Sequence, residues 1–208
     1  MTYKTVEKEA FCEHTEKHSR FIAYIFPCVC EKDAHVYIDK IKKKHPDATH
    51  HVHAYSLREH MTRRFFDDGE PSGTAGIPVL DVIQKQELTD VLVVVVRYFG
   101  GILLGAGGLI RAYSQAARLA LTESGTVTMH LCNTYKVSFA YSFFERVKAL
   151  LEIFDGRITG TDFSQEITLS YSLPLKYEDD FCQKLEDIIN QKAKIEKTGE
   201  KYSKLREK

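Results

Sequence analysis

The sequence predicts an α+β protein of two domains. The segment from Val91 to Val96 is wholly apolar and mostly β-branched, which is typical of a central strand buried on both faces. Segments with apolar residues at helical spacing alternate with strand-like segments in the first part of the chain. From about Val127 the order becomes β-α-β-β-α-β, which is ferredoxin-like. We therefore place an N-terminal domain at residues 1–127 and a ferredoxin-like domain at residues 128–208.

The N-terminal domain is predicted to begin with two strands, residues 3–14 and 20–27, in which apolar side chains alternate. A helix is predicted from about Glu31 to His45, because apolar residues recur there at helical spacing and proline follows. Residues 48–59 alternate enough for a third strand.

The helical segments of the N-terminal domain flank the valine-rich strand. GIPVLDVIQKQ, residues 76–86, has apolar residues at helical spacing and tolerates Pro78 in its first turn. The helix after the strand contains LIRAYSQAARLALTESG, residues 109–125, with an alanine-rich face. Gly125 stands where a C-terminal glycine cap is expected.

The second domain is predicted from a repeated change between strand-like and helix-like segments. In order, these are a strand at 128–141, a helix at 142–154, strands at 157–163 and 166–173, a helix at 176–190 and a strand at 192–203.

Composition excludes several function classes. The formal net charge of zero argues against tight, sequence-blind binding of duplex DNA, which needs a basic excess. The segment from Lys192 to Lys208 is the exception, since it is locally basic. The five cysteines are scattered without a C-x-x-C pair, which argues against structural zinc and suits a reducing cytoplasm. We expect a cytoplasmic protein that does not enter membranes, because no secretory signal or membrane-length apolar run is present.

A glycine segment follows the valine-rich strand. Its members are Gly100, Gly101, Gly105, Gly107 and Gly108. Glycines before a helix N-terminus let backbone N–H groups converge on an anion, and Arg97 and Arg111 add charge suited to phosphate. The alternative is that the glycines only permit close packing. Neither common nucleotide-binding signature occurs.

The stretch FFDDGEPSGTAG (65–76) contains an acidic loop, residues 67–76, which leads into the helix at 76–86. Asp67, Asp68 and Glu70 are candidate Mg²⁺ ligands, since hard cations prefer carboxylate oxygens. The alternative is a solvated acidic turn in which Ser72 or Thr74 caps the following helix. Long polar loops are often functional, so both interpretations stay open.

Histidines and aromatic residues offer weaker indications. His51 and His53 alternate onto one face as an H-x-H pair, but no third metal ligand is evident. We prefer a histidine that hydrogen-bonds to the acidic loop. Tyr98 and Phe99 follow Arg97 and are candidates for stacking on unpaired bases, although such residues are more often core or interface.

DDGEPSGTAGIPVL, followed by VVVVRYFGGILLGAGGLIRAYSQAA, closely resembles the bacterial YigZ/YvyE branch of the IMPACT family. The resemblance covers essentially the whole chain. It implies an N-terminal fold similar to domain 2 of ribosomal protein S5. It implies a C-terminal domain similar to the last domain of elongation factor G, which is ferredoxin-like. Both halves thus resemble modules that sit on ribosomes.

The resemblance also marks site residues. His50 matches the histidine that the family places after the first helix. The first motif block runs from Asp67 to Gly76 and contains Asp67, Asp68, Glu70, Ser72, Gly73 and Thr74. The second block comprises Arg97, Tyr98, Gly100, Gly101, Gly105, Gly107, Gly108 and Arg111.

We therefore expect a translation regulator that binds RNA or ribosomes in a cleft between the acidic loop and the glycine segment. In this hypothesis Arg97 and Arg111 hold a phosphate, and the acidic loop shapes the cleft or holds Mg²⁺. Apart from that ion we expect no cofactor. One alternative is a Mg-dependent enzyme acting on a phosphorylated small molecule or nucleotide. The other is a protein-interaction module without catalysis.

Overall fold

A computed structural model describes residues 1–189 and 194–205. The chain divides into two compact units. One unit is Tyr3–Val127, and the other is Met1–Thr2 together with the chain from Thr128 onward. Each unit combines a β-sheet with helices, so the α+β fold class is confirmed. No helix in the described ranges has the length and apolar character needed to cross a membrane.

The N-terminal part of the chain contains the predicted helices and strands, with shifted ends and two differences described below. In chain order they are β1 (Thr2–Val6), β2 (Ala10–Glu16), β3 (Ser19–Pro27), α1 (Glu31–Lys44), β4 (His50–Ser56), β5 (Arg63–Phe66), α2 (Gly76–Lys85), β6 (Val91–Tyr98) and α3 (Ala106–Ser124). Five of the strands form one sheet in the order β2-β3-β6-β4-β5, with antiparallel pairing throughout.

Helices cover both faces of this sheet. Helices α2 and α3 pack on one face, where Phe21, Val93 and Tyr113 are buried. Helix α1 packs on the other face, where Tyr24 and Val94 are buried. Strand β6 lies in the middle of the sheet and is apolar on both faces, which explains its unbroken run of valines.

Two strand features differ from the predictions. The single strand predicted at 3–14 is interrupted after Val6, where Glu7 N donates to Gly125 O at 3.1 Å. Strand β5 was not predicted, because its four residues are all exposed and lack alternation. Pairing with β4 creates it, and the rings of Phe66 and His53 stack at 5.4 Å.

The C-terminal part has the predicted β-α-β-β-α-β order. Its elements are β7 (Thr126–Phe139), α4 (Phe144–Ile153), β8 (Arg157–Phe163), β9 (Ile167–Pro174), α5 (Glu178–Ile189) and β10 (Lys194–Lys204). The strands lie in the order β8-β9-β7-β10. Leu151 of α4 and Phe181 of α5 are buried with Tyr171 of β9 in one core. Residues 190–193 and 206–208, which include parts of the predicted last helix, last strand and basic end, lie outside the described residues.

Candidate functional site

The acidic loop and the glycine segment meet at one cavity of about 370 Å³. Its lining residues are His50, Glu70, Pro71, Arg97, Phe99, Leu103, Leu104, Gly105, Ala106 and Leu109. The fold therefore joins segments that the sequence separates by some thirty positions. We call this cavity the cleft, and what it binds stays a prediction.

A buried ion pair forms one wall of the cleft. Arg97 Nη1 donates to Glu70 Oε1 at 2.6 Å, and the two side chains are 5% and 3% exposed. Tyr113 OH donates to the same carboxylate oxygen at 2.7 Å, and Arg97 Nη2 donates to Ser19 Oγ at 3.2 Å. Burial and the bond to Glu70 raise the pKa of Tyr113 far above its ordinary value, so the phenol stays a donor.

The environment of Arg97 changes its expected role. The Arg97 guanidinium carbon lies 5.5 Å from the ring centroids of both Phe21 and Phe99. Its Nε is buried and has no hydrogen-bond partner within the described residues. Because Glu70 already balances its charge, we now assign Arg97 to holding the acidic loop against the sheet. It is a poorer phosphate ligand than its position at the carboxyl end of a buried strand suggests.

Asp67 organises the acidic loop through backbone hydrogen bonds. Its Oδ2 accepts from Gly73 N at 2.9 Å. Its Oδ1 accepts from Ala75 N at 3.2 Å and from Gly76 N at 2.7 Å. Asp67 thus satisfies free donors at the start of α2.

Neither hydroxyl of the acidic loop takes the capping role predicted for it. The N-cap position of α2 is Ala75, whereas the capping prediction favoured Ser72 or Thr74. Thr74 is buried, and its Oγ1 donates to Pro71 O at 2.7 Å. Ser72 is exposed and outside the cleft lining.

Asp68 attaches the acidic loop to β4. Its Oδ2 accepts from His51 N at 2.7 Å, and its carbonyl accepts from His50 Nδ1 at 2.8 Å. Asp68 and Gly69 both have positive φ, 48° and 86°, so the chain turns sharply there. His50 Nε2 lies 3.7 Å from Glu70 Oε1. His50 therefore makes the kind of contact with the acidic loop that the sequence interpretation preferred.

The geometry adds no support for a metal site. Asp67, Asp68 and Glu70 each have protein partners, as described above. Among the described residues, no group of three or more His, Cys, Asp or Glu side chains is placed to share an ion. His51 Nε2 donates to His45 O, and His53 Nδ1 donates to His51 O, so the H-x-H pair has other partners. Mg²⁺ stays a prediction.

The start of α3 has the features of an anion site. Helix α3 is 19 residues long and follows Gly105, whose φ is 71°. In the described part of the chain, the N–H groups of Ala106, Gly107 and Gly108 have no hydrogen-bond acceptor. A Cβ added at Gly107 would lie 3.7 Å from Arg111 Nη1, so the Arg111 guanidinium lies beside the first turn. Arg111 is exposed, and no ion pair to it exists within the described ranges.

The glycines differ in what they do. A Cβ at Gly100 would meet His18 backbone atoms at 2.1 Å, so close packing explains this glycine. Gly101 and Gly105 have φ of 82° and 71° and open space around them, so backbone conformation explains both. Of these five glycines, only Gly107 and Gly108 lie in the first turn of α3, where backbone N–H groups could bind an anion.

The side chains of Tyr98 and Phe99 lie in different surroundings. Tyr98 OH hydrogen-bonds to His45 Nδ1 at 2.8 Å, on the face covered by α1, because successive strand residues alternate between faces. Phe99 lines the cleft and is 46% exposed. Apolar side chains that the sequence interpretation did not single out also surround the glycine segment: Ile102 is 45% exposed, Leu103 83% and Ile110 43%.

Comparison with family models matches both parts of the chain. Residues 17–121 match the Impact N-terminal domain. Residues 137–192 match a domain of unknown function, DUF1949.

Relatives and a solved structure extend this similarity over most of the chain. IMPACT family member YvyE of Bacillus subtilis is 36% identical over 96% of this chain and 92% of its own length. IMPACT family member YigZ of Escherichia coli is 34% identical over 83% of this chain and 86% of its own. A crystal structure described as that of a hypothetical protein has 30% sequence identity and a TM-score of 0.63, covering 93% of this chain and 96% of that one. The chain therefore belongs to the IMPACT family.

Proposed function

We propose that this IMPACT-family protein binds RNA on the ribosome through the first turn of α3 and Arg111, and that it regulates translation by doing so. The observation that carries the proposal is the first turn of α3, whose N–H groups have no acceptor among the described residues, beside an exposed arginine. The cleft adjoins this turn, since Gly105 and Ala106 line it.

The chemistry of this turn suits a phosphodiester. Three backbone N–H groups without acceptors at a helix start add to the partial positive charge of the helix dipole. The Arg111 guanidinium can donate two parallel hydrogen bonds to phosphate oxygens. Phe99 presents an exposed ring on the neighbouring wall, on which an unpaired base can stack.

The charge distribution also supports a local contact. The chain has no net charge, so attraction to RNA must come from particular sites. Glu70 is neutralised by Arg97, and the Asp67 carboxylate accepts three backbone N–H groups. Arg111, beside the positive end of α3, is therefore the cation near the cleft that no described acidic side chain pairs with. The resemblance of both halves to ribosome-bound modules supports the same target, and a ribosomal role implies a cytoplasmic location.

The test is sedimentation of cell lysate on sucrose gradients at low and moderate salt, with detection of this protein in each fraction. We expect co-migration with ribosomal particles at low salt, and loss of it in the Arg111→Ala variant. Arg118→Ala is the matched control, because Arg118 is exposed on the same helix but lies beyond its middle, away from the first turn. Migration of the wild type only at the top of the gradient, at both salt concentrations, would refute the proposal.

The apolar side chains near the cleft favour a second candidate, a protein-interaction module. Leu103 and Ile102 are exposed at the glycine segment, and exposed apolar patches often mark protein contacts. This candidate predicts co-migration that survives Arg111→Ala and higher salt but is lost in Leu103→Ser.

A further inference from the structure

A second groove, of about 300 Å³, lies on the α1 face of the N-terminal sheet, beside strand β2. The aromatic side chains of Phe11, Tyr24 and Phe26 and the lysines Lys40 and Lys44 line it. It shares no lining residue with the cleft. We call it the aromatic groove.

The groove exists because α1 does not cover the edge of the sheet. The buried residues of α1 pack with residues of β3, β4 and β6, and no β2 residue belongs to that cluster. The opposite face of β2 is covered by α3, where Cys12 Sγ donates to Ala116 O at 3.5 Å. Phe11 therefore stays 64% exposed on the uncovered side.

The aromatic rings in the groove are already arranged for stacking. The centroids of Phe11 and Tyr24 are 5.8 Å apart with an interplanar angle of 26°. Tyr24 and Phe26 are 6.5 Å apart and inclined by 10°. Phe11 is the exposed end of this series, so a planar ligand can extend it outward without moving the core.

Two cations accompany the rings. Lys44 Nζ lies 4.8 Å from the Tyr24 centroid and 5.7 Å from that of Phe11. Within the described ranges, neither Lys44 nor Lys40 forms an ion pair. The groove also contains Glu9, which accepts a hydrogen bond from Tyr37 OH at 3.2 Å. The balance of charge favours an anionic ligand.

A single exposed phenylalanine is ordinary in a folded protein, but stacked rings beside two lysines that form no ion pair with any described residue are a more specific arrangement. An added peptide strand fits the edge less well. Strand β2 carries Glu13, His14 and Glu16, and charged side chains on an edge strand oppose such pairing.

We infer that the aromatic groove binds one unpaired nucleotide of single-stranded RNA, with its base on Phe11 and its phosphate at Lys40 and Lys44. This inference rests on the proposed function for its choice of RNA, but it uses a separate surface. A base stacked on an aromatic side chain contributes affinity without sequence selectivity.

The experiment is fluorescence anisotropy of the full chain with a labelled oligouridine of about eight nucleotides, a length within the range covered by single-strand binding modules. We expect Phe11→Ala to weaken binding roughly 5- to 150-fold. Phe11→Tyr should restore it. The control is Phe163→Ala, since Phe163 is 60% exposed on β8, an edge strand of the other sheet.

A second pair of variants, Lys44→Ala and its control Lys42→Ala, tests the role of the lysines. Lys44→Ala should reduce the dependence of log affinity on log salt by about 0.7, the contribution of one phosphate contact in a single strand. Lys42→Ala should leave it unchanged, because Lys42 is exposed in the same helical turn but does not line the groove.

The outcomes separate this inference from the proposed function. Wild-type affinity in Phe11→Ala, failure of the wild type to bind the oligonucleotide, or binding only of an acidic peptide would each overturn the inference. Weakened oligonucleotide binding in Phe11→Ala would uphold the inference. It would do so even if Arg111→Ala had no effect on ribosome sedimentation, because that second result would overturn only the role proposed for Arg111 and the start of α3. Loss of ribosome co-migration in Arg111→Ala, together with unchanged oligonucleotide binding in Phe11→Ala, would support the proposed function and overturn this inference.

Discussion

Replacing Arg97 by methionine should destabilise the N-terminal unit strongly, because it leaves the Glu70 carboxylate buried without its cation. The two side chains are 5% and 3% exposed, and their charged atoms are 2.6 Å apart. Removal of one partner from a buried pair costs about 3–5 kcal/mol. The Tyr113 hydroxyl still donates to the carboxylate, so we expect the lower half of that range.

Equilibrium unfolding of the full chain in urea measures this cost. Hydrogen exchange of the β6 amides, which belong to the N-terminal unit, reports the same loss locally. Combining Arg97→Met with Glu70→Gln should cost less than the sum of the single changes, since neither charge then remains buried alone. The double variant also tests whether the loss arises from the unpaired carboxylate.

The surface pair of Lys4 and Glu87 provides the control. Their side chains are 54% and 79% exposed, and such pairs contribute about 0–1 kcal/mol, so Lys4→Met should be nearly neutral. An Arg97→Met variant within about 1 kcal/mol of wild type would show that the pair is solvated. That result would mean that the Arg97 guanidinium is available to bind an anion, as the sequence interpretation expected.

Three further predictions concern stability, each measured by urea unfolding. Asp67→Ala should cost about 1–2 kcal/mol, in the upper part of the range for a lost helix cap, and a neutral result would refute its organising role. Gly100→Ala should destabilise more than Gly101→Ala, because a Cβ at Gly100 meets the backbone of His18 at 2.1 Å, whereas at Gly101 only the positive φ of 82° opposes a side chain; equal losses would contradict this packing. Burial lowers the pKa of His53, so as the pH falls the His53 imidazole binds a proton in the unfolded chain before it does in the folded protein. Stability should therefore fall as pH drops below about 6.5, and His53→Gln should reduce that slope.

The sequence predicted the elements whose signals are local. The run from Val91 to Val96 indicates a buried strand by itself, and the helical spacing of apolar residues indicates α3. Strand β5 had no such signal, since its residues are all exposed and only pairing with β4 defines it. The break after Val6 likewise depends on a hydrogen bond to Gly125, far away in the sequence.

The site was predictable as a meeting of two loops but not as a set of contacts. Asp67 has the composition expected of a metal ligand, yet its oxygens satisfy N–H groups six to nine residues later. Arg97 lies at the carboxyl end of buried strand β6, where the sequence interpretation expects a phosphate ligand, but its partner Glu70 lies on another segment. Side-chain composition specifies which bonds are available, and only the tertiary fold specifies which ones form.

The Arg97–Glu70 pair also explains how a neutral chain can present a positive site. Three carboxylates lie in the acidic loop next to the start of α3, and free carboxylates there would oppose an approaching phosphate. Arg97 neutralises Glu70, while Asp67 and Asp68 accept backbone N–H groups. Arg111 and the first turn of α3 have no such partners in the described part of the chain. Arg97 is thus engaged by Glu70, and the Asp67 and Asp68 oxygens are engaged by backbone N–H groups, whereas Arg111 beside the helix start has no ion-pair partner among the described residues. Arg111 is therefore the residue to test for RNA binding.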